Sequence, residues 1–149
     1  MNPFDLKSAL LAKHAQHVVL IHFPIALFIS SVAFDLLAIW KCSRSLAKAA
    51  YYNLIGAAIT ALAAVATGVV AWELQFEGEN LPGILRLHLS LGASSTVLIW
   101  ILAWWRSRQE RVENNGLTVG YWFLAFIAIL VVALTGHLGG ILSGVEVAN

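Results

Sequence analysis

The chain has 149 residues, of which 60% are hydrophobic and only 11% charged, and its mean hydropathy is +0.80. A soluble globular domain carries about 25% charged residues, so that class is excluded. Nine Lys and Arg against eight Asp and Glu leave a net charge of +1. That balance offers neither a basic surface for nucleic acid nor an acidic tail.

The leading segment MNPFDLKSALLAKHAQ lacks the continuous apolar core and small-residue cleavage site of a secretory signal. It reads instead as a short interfacial helix, with Asn2 as cap, Pro3 at the first helical position, and Phe4, Leu6, Leu10 and Leu11 as apolar contacts. A bilayer core of about 30 Å requires about 20 apolar residues in a helix. Four stretches meet that length: Val18–Trp40, Tyr51–Trp72, Ile84–Trp105 and Val119–Leu142. Trp40, Trp72, Trp105 and Tyr121 stand at their ends, where interfacial aromatics are expected. The connections KCSRSLAKAA, ELQFEGENLPG and RSRQERVENNGLT are short, so consecutive spans pack antiparallel. The expected architecture is all-α: one membrane domain over 1–149, an integral membrane four-helix up-down-up-down bundle.

Orientation follows from Lys and Arg alone. Lys41, Arg44, Lys48, Arg106, Arg108 and Arg111 lie on one side, and Lys7, Lys13 and Arg86 on the other. The richer side is expected to be cytoplasmic, with both termini and the acidic second connection outside. Cys42, the single cysteine, then lies on the reducing side and excludes a disulfide framework. In the second span Gly56, Thr60, Ala64 and Gly68 recur every fourth residue, a stripe that lets a neighbouring helix approach closely.

All five histidines (His14, His17, His22, His88 and His137) fall on the outward side of these spans. His14 and His17 sit at or above the interface. His22, His88 and His137 each lie about five residues inside a span, about 7 Å deep by helix rise. A lone histidine in a span commonly hydrogen-bonds a neighbouring helix. Three at one depth point to a site, because burying ionisable groups in a membrane is costly. Three imidazoles suit Zn, Cu or Fe, and two opposed imidazoles suit haem. One turn inward stand Ala26, Gly92 and Ala133, small residues that leave room for a porphyrin. Helices one and three of an up-down bundle are parallel and diagonal, so His22 and His88 form the expected axial pair. A weak internal repeat pairs the same two residues: His22 precedes Thr67-Gly68, and His88 precedes Thr135-Gly136, by similar distances. Pro24 removes a backbone hydrogen bond and kinks the first span, which would aim His22 inward. Gly136, Gly139 and Gly140 loosen the end of the last span, and ILSGVEVAN is positioned to fold back as a lid. Asp35 is expected to pair with Lys48 or Arg106.

The segment HVVLIHFPIALFISSVAFDLLA at 17–38 resembles the opening of an uncharacterised family of bacterial inner-membrane domains. ATGVVAW at 66–72, RLHLSLG at 86–92 and TGHLGGIL at 135–142 extend the resemblance over nearly the whole chain. It implies a four-helix integral membrane protein of the bacterial inner membrane. Some similar proteins look fused to Rieske-type iron–sulfur or c-type cytochrome domains, which implies redox company. By that match His22, His88 and His137 fall on the family's histidine-bearing motifs. SGVEVAN departs from the longer aromatic tail expected there.

Three functions follow. The first is an electron-transfer subunit binding haem b, with a c-type cytochrome, an iron–sulfur protein or a quinone as partner. The second is a protein that binds or transports Cu, Zn or Fe. The third is a structural small subunit of a larger membrane complex. No carboxylate pair or nucleophile–base set lies within the spans, so a redox subunit is favoured over a stand-alone hydrolytic enzyme.

Overall fold

The computed structural model describes residues 13–76, 83–109 and 117–143. They form four helices: α1 (Lys13–Lys41), α2 (Arg44–Phe76), α3 (Gly83–Gln109) and α4 (Val119–Leu142). Each is long and apolar enough to cross a membrane. The protein is an all-α membrane bundle, and its lipid-facing surface is the bilayer's. Residues 1–12 of the expected interfacial helix and 144–149 of the expected C-terminal lid lie outside the described residues; Lys13–Gln16 begin α1, and Ile141 and Leu142 continue α4.

The helices run up, down, up and down. α1 packs most extensively on α2 and α3 on α4; α2 and α3 join the two hairpins, and α1 with α4 is the slightest of these four neighbouring contacts. The core is drawn from all four, with Phe28, Leu54, Leu102 and Ala128 fully buried. α2 presents Ala50, Ala57, Ala61, Ala64 and Ala71 to the interior, residues small enough for backbones to approach closely.

The first connection is far shorter than the ten residues read from hydropathy. α1 ends in a Schellman turn: Ser43 N–H donates to Ala38 O at 3.0 Å and Cys42 N–H to Ile39 O at 3.3 Å, with Cys42 left-handed at φ 49°. Ser43 Oγ then accepts from Leu46 N–H and starts α2. SLAKAA contains no helix breaker, and the helix begins as soon as the turn is complete. Polarity ends a hydrophobic span; it does not end a helix.

The stripe of α2 faces α1. A Cβ on Gly56 would stand 3.2 Å from Leu27 Cδ1, and one on Gly68 3.0 Å from His17 Cε1. Gly68→Leu is therefore expected to cost about 1–3 kcal/mol of stability. Val69→Leu, on the exposed side of the same turn, serves as the control in thermal unfolding in detergent. Equal midpoints for the two variants would put the stripe against lipid.

The far end of the bundle from Gly68 is tied by charge. Arg106 Nη2 donates to Asp35 Oδ1 at 3.0 Å and to Ala47 O at 3.3 Å, and Tyr121 Oη donates to Asp35 Oδ2 at 3.1 Å. All four helices contribute to this network. Arg106 is thus the partner of Asp35. Tyr121 is not an interfacial aromatic, as its place at a span end suggested: it is 1% exposed and belongs to the core. Thr118 caps α4 by accepting from Tyr121 N–H, which sets the phase that turns the ring inward.

Candidate functional site

The site is built from helix phase. Asp35 follows His17, and Arg106 follows His88, by 18 residues. Eighteen residues are five whole turns, about 27 Å of rise. The buried ion pair therefore puts His17 and His88 on the inward faces of α1 and α3 and at one level. His22 precedes Asp35 by 13 residues, which rotates it about 220° away from that face.

The structure places the side chains accordingly. His17 and His88 line a cavity of about 90 Å³ in the bundle centre, walled chiefly by aliphatic and small residues of all four helices, with Pro24, Gly68, Gly92 and Thr135 among them. They also line a mouth of about 140 Å³ at the same end, bounded by Trp72, Gly139 and Ser143. Both rings thus stand where the cavity meets its opening.

Each imidazole is held by the helix that follows it. His88 Nδ1 lies 3.1 Å from Thr135 O on α4. A carbonyl only accepts, so His88 Nδ1 carries the proton. His17 Nδ1 lies 3.2 Å from Thr67 Oγ1 on α2. That hydroxyl also lies 3.0 Å from Ala63 O and from Ala64 O, and when it donates there it accepts from His17 Nδ1–H. His88 consequently keeps the lone pair on Nε2, the form that ligates a metal, and His17 does so when Thr67 Oγ1 accepts from its Nδ1–H. Glycines make room for the rings: a Cβ on Gly139 would stand 3.2 Å from His88 Cε1, matching Gly68 against His17. The two hairpins make similar contacts with His17 rather than His22 opposite His88, and the glycine beside His88 is Gly139 and not the Gly136 of the sequence repeat.

Several residues expected at the site are elsewhere. His22 is exposed, and its Nδ1 bonds Val18 O of its own helix at 2.7 Å. Pro24 lines the cavity itself and does not turn His22 inward. Ala26, Ala133 and His137 are also exposed. Of the residues read as cofactor-binding, His88 and Gly92 alone line the cavity. Among the described residues no three His, Cys, Asp or Glu side chains come together, so His22, His88 and His137 do not form a three-histidine metal centre. They share a nominal depth but not a face, and ligands must share both. His17 was legible in the sequence through its five-turn spacing from Asp35. The side chain of His14 lies outside the described residues.

The segments that carried the family resemblance, 17–38, 66–72, 86–92 and 135–142, lie on α1, α2, α3 and α4 in turn. The chain belongs to the predicted membrane protein family DUF2231. The match covers residues 13–147, and so takes in all four helices and both cavity histidines. No curated protein and no solved structure matches the chain.

Proposed function

We propose that this DUF2231 protein is a membrane electron-transfer subunit in which His17 and His88 hold a b-type haem. The observation that supports it is the pair of cavity imidazoles, each tied through Nδ1 to a neighbouring helix. Metal-ligating histidines almost always donate their other ring N–H in this way. Bundle cofactors are held by side chains on facing helices, and a bis-His haem takes its ligands so. When bound, haem would supply one-electron chemistry; the chain's own residues supply the two lone pairs and exclude water with aliphatic walls. A c-type cytochrome, an iron–sulfur protein or a quinone is the proposed electron partner.

Donor chemistry fits haem better than volume does. The cavity of about 90 Å³ and its mouth of about 140 Å³ are each below the roughly 300 Å³ of small-molecule sites. A porphyrin requires the bundle to part, and the seam between α1 and α4, the slightest of the four between neighbouring helices, is where it would part. The volume as it stands favours a second reading, a Cu, Zn or Fe ion on the same imidazoles. Visible spectra of the purified protein, oxidised and reduced, with metal analysis, separate the two. Haem bands support the first. Colourless protein with stoichiometric metal that is lost in His88→Ala supports the second. Protein with neither leaves the histidines as hydrogen-bonded struts of a structural subunit.

We further propose a bacterial inner-membrane location with the histidine end outside, from the Lys and Arg asymmetry. A reporter that works only in the periplasm should be active when fused after Asn149. Activity of a cytoplasm-only reporter there would invert the protein and place the histidine pair inside.

A further inference from the structure

A second, more open groove lies apart from the histidine pair. It lies on the lipid-facing surface between α2 and α3, holds about 390 Å³, and is lined by Leu62, Thr96, Val97, Trp100, Ile101 and Trp104. Its walls are set: Trp100 Nε1 donates to Ala58 O of α2 at 2.9 Å, so the indole is fixed at the seam. The ring of Trp104 lies under the Arg108 guanidinium, 5.3 Å from Cζ to centroid. The lining on α3 runs from Thr96 to Trp104, and Arg108 stands one turn beyond it with its guanidinium over the Trp104 ring. From Val97 to Arg108 the chain advances eleven residues, about 16 Å of helix. Half of a 30 Å bilayer core is about 15 Å, the depth of one leaflet's acyl chains.

Among the described residues, the exposed charge at this end of the groove has one sign; Glu110 and Glu113 follow Arg108 in the sequence, outside those residues. Lys48 precedes Leu62 by 14 residues, about 40° short of four turns, which puts it on the groove side of α2. Lys41, Arg44, Lys48 and Arg108 are exposed at this end. Among the described residues the one carboxylate there, Asp35, is buried against Arg106. An apolar groove with exposed cations beyond one end, and no exposed acid beside them among the described residues, is complementary to a lipid with a negatively charged headgroup.

We propose that this groove is a binding site for an anionic phospholipid of the leaflet at the basic end. One acyl chain lies along Val97, Trp100, Ile101 and Trp104, and the headgroup phosphate meets Arg108 and Lys48. The site is separate from the histidine pair and stands whether or not that pair holds a cofactor.

Native mass spectrometry of the full chain released from detergent tests it, with phosphatidylglycerol and phosphatidylcholine of identical acyl chains as probes. One phosphatidylglycerol should be retained in preference to phosphatidylcholine. Arg108→Gln should lower that retention about fivefold, the effect of one basic residue beside anionic lipid, and leave phosphatidylcholine unchanged. Trp100→Leu should lower retention of both. Arg86→Gln, at the opposite end of α3, should change neither. Equal retention of the two lipids by the unmodified protein, or equal losses in Arg108→Gln and Arg86→Gln, would overturn the proposal. So would a lipid-free dimer as the stable species, which would make the groove an interface between two copies.

Discussion

Asp35→Ala should destabilise the bundle by about 3–5 kcal/mol, the range found when one member of a buried ion pair is removed. Asp35 is 1% exposed, and its two carboxylate oxygens take Arg106 and Tyr121 separately. Without it, among the described residues, the guanidinium keeps Ala47 O alone as a partner within hydrogen-bond reach, and Arg106 Nε is already buried with no partner. Tyr121 Oη loses its acceptor at the same time. Arg106→Ala should be comparably damaging, because it strands a carboxylate in the core. The double variant Asp35→Leu with Arg106→Met should be milder than either single change, since it leaves no unpaired charge. Unfolding curves in detergent give the three values. A double variant as damaging as the sum of the two singles would mean that the side chains act independently and that the network does not join the helices.

His17→Ala should abolish whatever cofactor the protein carries, and His22→Ala should leave it in place. The residues are five apart, yet one ring lines the cavity and the other is exposed. A steric pair gives the same contrast without touching a ligand. Gly92 lines the cavity, and a Cβ there would already stand 3.8 Å from Thr135 Cγ2, so Gly92→Phe should fill the space and expel the cofactor. Ala26 is exposed, so Ala26→Phe should be neutral. The readout is the reduced-minus-oxidised spectrum for haem, or bound metal per chain for an ion. Loss on His22→Ala with retention on His17→Ala would return the site to the outer face of α1.

The four helices were legible because each apolar run is a local property. The bilayer selects it by length and composition, whatever the other runs do. The pairing of Asp35 was legible for a similar reason: a lone carboxylate in a span needs a cation at its level, and few are available. Depth was less legible. Counting inward from the apolar boundary placed His22 opposite His88, whereas the helix begins earlier and the ion pair brings His17 to that level, five residues or about 7.5 Å away. Tyr121 was misplaced by the same method, since its position at a span end shows its height and not the side on which it stands.

Sequence by itself thus determined that this chain is a bundle of four membrane helices, which ends carry basic residues and which carry histidines, and where small residues permit close packing. Each follows from the free energy of placing one side chain in hydrocarbon or water, and so can be read one helix at a time. Tertiary structure decided which histidines meet. Rotational phase and axial register belong to pairs of helices, and here contacts between residues far apart in the chain set them: Asp35 with Arg106, His17 with Thr67, and His88 with Thr135. A shift of five residues leaves the hydropathy of a span almost unchanged, but turns a side chain from the cavity to the lipid.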